Sequence, residues 1–139
     1  MWSYEHSVMT SASQESVWRL WADVAGWKSW NADIETIEVS GSFEAGTEIV
    51  MNPDGEQPVR LRLVEVVAPS RFVDEADLGE VVVRTTHQFE GIDAEHGRVI
   101  YRMEITGPTA DRIGPELGPA ISGDFPETMN ALVRLAEKG

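Results

Sequence analysis

Val81-Val82-Val83-Arg84-Thr85-Thr86-His87-Gln88-Phe89-Glu90, followed by Gly97-Arg98-Val99-Ile100-Tyr101-Arg102-Met103-Glu104-Ile105-Thr106, carries the clearest structural signal in the chain. In the first segment Val81, Val83, Thr85, His87 and Phe89 share one face, while Arg84, Gln88 and Glu90 take the other. The second repeats the code, with Val99, Tyr101, Met103 and Ile105 opposed to Arg102 and Glu104. Period two is the side-chain period of a strand with one buried face. The polar stretch from Asp93 to Gly97 joins the two segments as a short turn, so they predict an antiparallel pair.

The same code extends upstream. Strands are predicted at 34–40, 47–52, 59–68 and 71–77, ahead of those at 81–90 and 97–106. Turn residues separate them: Gly41 with Gly46, Asn52-Pro53-Asp54-Gly55, Pro69-Ser70 and Leu78-Gly79. Consecutive strands with short turns imply an antiparallel meander. Trp2, Tyr4, His6 and Val8 alternate with Ser3, Glu5 and Ser7, which adds a first strand. Ser13 then offers a helix N-cap, and Val17, Leu20, Trp21 and Val24 recur at helical spacing until Gly26 ends or bends the run. Trp27-Lys28-Ser29-Trp30 reads as a further helical turn. At the other end, Phe125, Met129, Leu132, Val133 and Ala136 form an apolar stripe that Ile113, Leu117 and Ile121 extend upstream. Pro115, Pro119 and Pro126 interrupt it, which predicts a kink or break between Gly123 and Pro126.

A chain of 139 residues suits a single domain, spanning 1–139, that buries roughly two-thirds of its unfolded surface. Its apolar content of 42% argues against disorder. No apolar run approaches the ~18 residues needed to span a bilayer, and Met1 to His6 lacks the pattern of a secretory leader. The absence of cysteine excludes disulfides and thiol chemistry and suits a reducing cytoplasm, the expected location. Twenty-four acidic against eleven basic residues leave a net charge of −13. Such a surface repels phosphate backbones and anionic lipid heads, so neither nucleic acid binding nor membrane insertion is expected.

Several short stretches resemble a known family. They are Ser13-Gln14-Glu15-Ser16-Val17-Trp18, Trp27-Lys28-Ser29-Trp30-Asn31 with Ile34-Glu35, Gly41-Ser42-Phe43-Glu44-Ala45-Gly46-Thr47, Arg71-Phe72-Val73, and a C-terminal helix rich in Gly-Pro pairs. Together with the order strand, two helices, six strands, long helix, they are similar to the polyketide cyclase/dehydrase branch of the START-like (SRPBCC) superfamily. The resemblance covers nearly the whole chain. It implies an α+β helix-grip fold, in which a curved antiparallel sheet of about seven strands wraps a long C-terminal helix around a deep cavity. Related domains carry lipids, hormones or polyketides, and a minority cyclise or dehydrate them. The matching positions are scaffold residues, so the resemblance names no reaction.

The residues themselves lead to a similar cavity, because a strongly curved sheet cannot pack flat on one helix and the gap must hold large side chains or a guest. Candidate ligand-binding residues are Trp27, Trp30, Val83, His87, Phe89, Tyr101, Met103, Phe125 and Met129. Trp18 and Trp21 are better read as pins between helix and sheet, and all four indoles together would also suffice to plug the opening. His87 is the one candidate catalytic residue, a general acid or base near neutral pH. The plainer account is a histidine hydrogen-bonded within the core. Tyr101 either donates its hydroxyl to a ligand carbonyl or forms wall. If the strand holding Asp74 and Glu75 is regular, one of the two faces inward, yet exposed carboxylates at a strand end are the commoner outcome. No metal is expected, since His6, His87 and His96 fall on separate elements, and no motif calls for a cofactor.

Three functions fit these features. The first is binding or carriage of a small hydrophobic or aromatic molecule, lipid-like or polyketide-like, with His87 and Tyr101 orienting its polar end. The second is a cyclase or dehydratase in which His87 moves a proton beside a carbonyl. The third is a protein-interaction module whose acidic surface docks a basic partner. The sequence leaves the ligand, the reaction and the oligomeric state open.

Overall fold

The computed structural model describes residues 1–53, 55 and 57–138, so the expected turn residue Asp54 lies outside the described residues. Seven strands form one antiparallel sheet: β1 (Trp2–Thr10), β2 (Ile34–Val39), β3 (Glu48–Pro53), β4 (Val59–Val67), β5 (Arg71–Asp77), β6 (Val82–Gly91) and β7 (Gly97–Thr106). Their spatial order is β1-β7-β6-β5-β4-β3-β2, a meander from β2 to β7 closed at its far edge by the first strand. Each strand ends within one residue of the sequence expectation. The convex face carries the polar half of the alternation, with Arg84 on Glu75, Arg71 on Glu65 and Arg98 on Glu90.

Two bulges bend the sheet. Val64 is an extra residue in β4 between the pairs Leu63–Asp74 and Glu65–Val73, and Glu35 is an extra residue in β2. A bulge kinks its strand and deepens the local twist.

Helix α1 (Gln14–Ala22) starts as expected, with the Ser13 hydroxyl accepting from Ser16 N at 3.1 Å. It ends at Ala22, short of Gly26, and Val24–Ser29 continues as a 3₁₀ segment. Gly26 sits within that segment because a side chain there would run into the Asp23 carboxyl. Toward the C-terminus, the long helix is broken in two at Gly123-Asp124: α2 (Ala110–Ser122) and α3 (Phe125–Lys138). Pro126 falls in the first turn of α3, where its missing N–H costs nothing.

The apolar stripe of α3 is buried as read, with Phe125, Met129, Leu132, Val133 and Ala136 facing the core. That of α2 is rotated. Its buried residues are Ala110, Gly114, Gly118 and Ser122, whereas Ile113 and Leu117 are only half-buried and Ile121 is exposed. The cause is Trp2. Its indole lies against the helix so closely that a β-carbon on Gly114 or Gly118 would overlap the side chain. Those glycines also relieve the clash that a larger residue before Pro115 or Pro119 would suffer. Gly118→Ala is therefore expected to lower stability by about 1–2 kcal/mol, since overpacking outweighs the gain in helix propensity. Urea denaturation measures this, and the loss should vanish in a Trp2→Leu background.

Helices α2 and α3 pack over β1 and β7, while α1 and the 3₁₀ segment cover β6 and β2. The concave surface of β3 to β6 lies between these two covers, and there the packing leaves a gap.

Candidate ligand cavity

Because β5, β6 and β7 are in register, their inward side chains stand in rows. Phe72, His87 and Tyr101 pair across the three strands, and Asp74, Thr85 and Met103 form the next row. The His87 imidazole stacks face to face on Phe72 at 4.0 Å and meets Tyr101 edge-on at 4.5 Å. Tyr101 in turn meets Phe125 of α3, and Trp21 of α1 packs edge-on to Phe72.

Above this floor lies a cavity of about 320 Å³. Trp27 and Trp30 wall it on the 3₁₀ side, Met51, Val59 and Leu61 on the β3–β4 side, and Ile121, Asp124, Phe125 and Thr128 at the α2–α3 junction. Exposed Leu78 and Ile121 mark where it opens to solvent. A groove of similar volume on the convex face is bordered by Glu90, Arg98 and Arg102 and offers no comparable apolar shelter.

Of the candidate residues, the structure brings Trp27, Trp30, Val83, His87, Tyr101 and Phe125 together around the cavity. Phe89, Met103 and Met129 are buried away from it. Phe89 shares the face of His87, but it lies toward the far end of β6 with its ring over Gly97. Met103 is on β7, which α2 and α3 cover, and Met129 belongs to the packed stripe of α3. Trp21 is fully buried as a pin between α1 and the sheet, and Trp18 packs edge-on against it. The residue the sequence undervalued is Asp74. It is 5% exposed and lines the cavity, whereas Glu75 faces out to Arg84.

The polar groups of the floor are sharply tuned. His87 Nδ1 lies 3.3 Å from the Phe72 carbonyl oxygen, so the ring proton sits there and Nε2 keeps its lone pair. Burial lowers the His87 pKa from 6.5 to about 3, despite that hydrogen bond. Asp74 Oδ2 stands 4.0 Å from Nε2, within ion-pair reach, but burial favours a neutral imidazole and no ion pair forms at neutral pH. Burial, with Glu75 adding repulsion, raises Asp74 from 3.8 to about 7. Among the described residues its carboxyl has no hydrogen bond within 3.5 Å. Tyr101 accepts from Trp21 Nε1 at 3.3 Å and is pushed well above the usual phenol range by burial, so it keeps a proton to donate.

The mouth is acidic as well. Asp124 rises to about 6 through partial burial, a hydrogen bond shared with Asp33, and repulsion from it. The buried Trp30 Nε1 has no hydrogen-bond partner among the described residues. No described group of three or more His, Cys, Asp or Glu side chains is placed to hold a metal ion, and no described helix is long and apolar enough to cross a membrane.

Residues 1–137 match the family model described as polyketide cyclase / dehydrase and lipid transport. No curated protein matches the chain. Several solved structures share its fold. A point mutant of norcoclaurine synthase from Thalictrum flavum, in complex with a transition-state analogue, aligns at TM-score 0.77 and 12% identity, covering 99% of this chain and 94% of that one. A solution structure from Thermobifida fusca aligns at TM-score 0.77 and 20% identity, covering 99% and 95%. The di-domain ARO/CYC BexL from the BE-7585A biosynthetic pathway aligns at TM-score 0.76 and 20% identity, and the chain spans 47% of its length. With the model matched over nearly its full length, the chain belongs to the polyketide cyclase / dehydrase and lipid transport family.

Proposed function

We propose that the protein binds one small, largely apolar molecule in the cavity over β3 to β6, with the molecule's polar end at Asp74, His87 and Tyr101. The observation that carries this reading is the space itself: about 320 Å³, walled by indole, phenyl and aliphatic groups, with its few polar groups gathered at the floor and mouth. That pairing of apolar walls and few convergent polar groups is what a small-molecule site requires. Each 100 Å² of apolar ligand surface buried there contributes about 2.5 kcal/mol, less the cost of fixing the ligand. The family description, which includes lipid transport, is consistent with such a role.

Calorimetric titration with a naphthyl alcohol, 2-(2-naphthyl)ethanol, tests it. Saturable one-to-one binding with a negative heat-capacity change is expected. Absence of heat and of any thermal shift across a panel of apolar alcohols and ketones of that size would remove the basis for the reading.

An enzymatic reading is favoured by one specific observation, the carboxyl and the neutral imidazole facing each other 4.0 Å apart, both buried. Here the roles differ from those expected of His87 alone. An imidazole with a pKa of about 3 is a weak base at neutral pH, whereas Asp74 near 7 is matched to carrying a proton. Asp74 would transfer the proton, and His87 would accept a hydrogen bond from substrate or from the Asp74 carboxyl through it. In this reading Asp74→Asn abolishes turnover of a cyclising poly-ketone while His87→Ala lowers it less. The reverse ranking would return the central role to His87.

A further inference from the structure

The cavity contains an uncompensated acid. Asp74 is buried at its floor, and no Lys or Arg is among the residues lining it. The arginines on the neighbouring strands are used on the convex face, Arg84 by Glu75 and Arg71 by Glu65. His87, the one imidazole in reach, is neutral. Asp124, at the mouth, is a second carboxyl among the described lining residues. A carboxylate removed from water is costly until it takes up a proton or a partner charge reaches it. Nothing in the described residues supplies that charge.

Resting on the cavity reading above, we infer that the protein selects a ligand bearing a protonated amine on an aromatic or otherwise apolar body, with the ammonium group against Asp74. The ammonium donates a charge-assisted hydrogen bond to the carboxylate, and the neutral His87 Nε2 accepts a second. Trp27, Phe72, Tyr101 and Phe125 line the same space, and an aromatic ring attracts a cation that reaches its face. A carboxylate ligand would meet two acids and no cation, so fatty acids and other anionic lipids are selected against. The net charge of −13 acts in the same direction on the approach.

Three matched probes test this at pH 8: 2-(2-naphthyl)ethylamine, 2-(2-naphthyl)ethanol and 2-naphthylacetate, which differ mainly in the charge of the polar end. The amine is expected to bind at least about tenfold more tightly than the alcohol, a step of ~1.4 kcal/mol, with the acetate weakest. Asp74→Asn should abolish the preference, bringing the amine's Kd to within about threefold of the alcohol's in the same variant. In the parent protein the amine should keep a preference of at least about tenfold at about 0.5 M salt, where the long-range field of the net charge is screened out but a buried pair is not. This second measurement stands even if the variant fails to fold. An alcohol that binds as well as the amine, a preference that survives Asp74→Asn, or a ratio that collapses with salt would each overturn the inference while leaving the cavity reading intact. Failure of all three probes to bind would overturn the cavity reading and this inference with it.

Discussion

Asp74→Asn and His87→Phe are expected to tilt the protein's stability in opposite directions as pH changes, although the two side chains are neighbours in one cavity. Between pH 3.8 and about 7 the folded protein holds a proton on Asp74 that the unfolded chain has released. Stability from this group is therefore fully present at low pH and falls by about 1.4 kcal/mol per pH unit until pH passes 7. His87 has the opposite sign. Between about pH 3 and 6.5 the unfolded chain takes up a proton that the folded protein refuses, so its contribution is present above 6.5 and is lost as pH falls toward 3. In the parent the two slopes nearly cancel between pH 4 and 6.5. Asp74→Asn removes the falling slope, so its stability relative to the parent should rise by about 3 kcal/mol across that span. His87→Phe keeps the ring stacked on Phe72 and removes the rising slope, so its relative stability should fall by about the same amount. Urea titrations of the three proteins at the two pH values measure both. Three parallel curves would mean that neither group is desolvated as the structure has it.

Most of the scaffold was readable because strands advertise themselves. Val83, His87 and Tyr101 occupy inward positions fixed by period two alone, and the turns around Gly41, Ser70 and Gly79 set where each run stops. The helical part was less open to reading. In α2, Ile113, Leu117 and Ile121 form a stronger apolar stripe than Gly114 and Gly118, yet the glycine face is buried. That choice is made by Trp2, more than a hundred residues away, and no local pattern contains it.

The site divides in the same way. Six of the nine ligand-contact candidates ring the cavity, and of these Val83, His87 and Tyr101 lay on strand faces whose inward direction was legible. Phe89 shares that face but lies near the end of β6 over Gly97, and position along a strand cannot be judged from alternation. Asp74 was visible as the middle of Phe72-x-Asp74-x-Ala76. A general expectation that carboxylates seek solvent masked it, although the tight alternation with Phe72 was the available clue. Asp124 reaches the wall only through tertiary contact, from the break between the two helices.

Filling the cavity from its floor should have the second large effect. Ala76 is inward on β5, two residues beyond Asp74, pairs with Val83 and lines the open space. In Ala76→Phe the added ring enters a void instead of a packed core. The usual 1–3 kcal/mol cost of overpacking is then offset by new apolar burial. Stability in urea should stay within about 1 kcal/mol of the parent. Affinity for 2-(2-naphthyl)ethanol should drop about 100-fold, close to 2.7 kcal/mol, because ring and ligand compete for one volume. Unchanged affinity in a folded Ala76→Phe protein would place the ligand elsewhere.

The five tryptophans make the decisive test direct. Trp27 and Trp30 line the space between sheet and helices, Trp2 lies against α2, and each indole N–H gives its own signal in a ¹H–¹⁵N spectrum. During titration with 2-(2-naphthyl)ethanol, the Trp27 and Trp30 signals should move together and saturate at one equivalent of bound ligand. The Trp2 signal should stay still. Fixed Trp27 and Trp30 signals at saturating ligand, or an unsaturable drift of all five, would contradict a guest held between the strands and the helices.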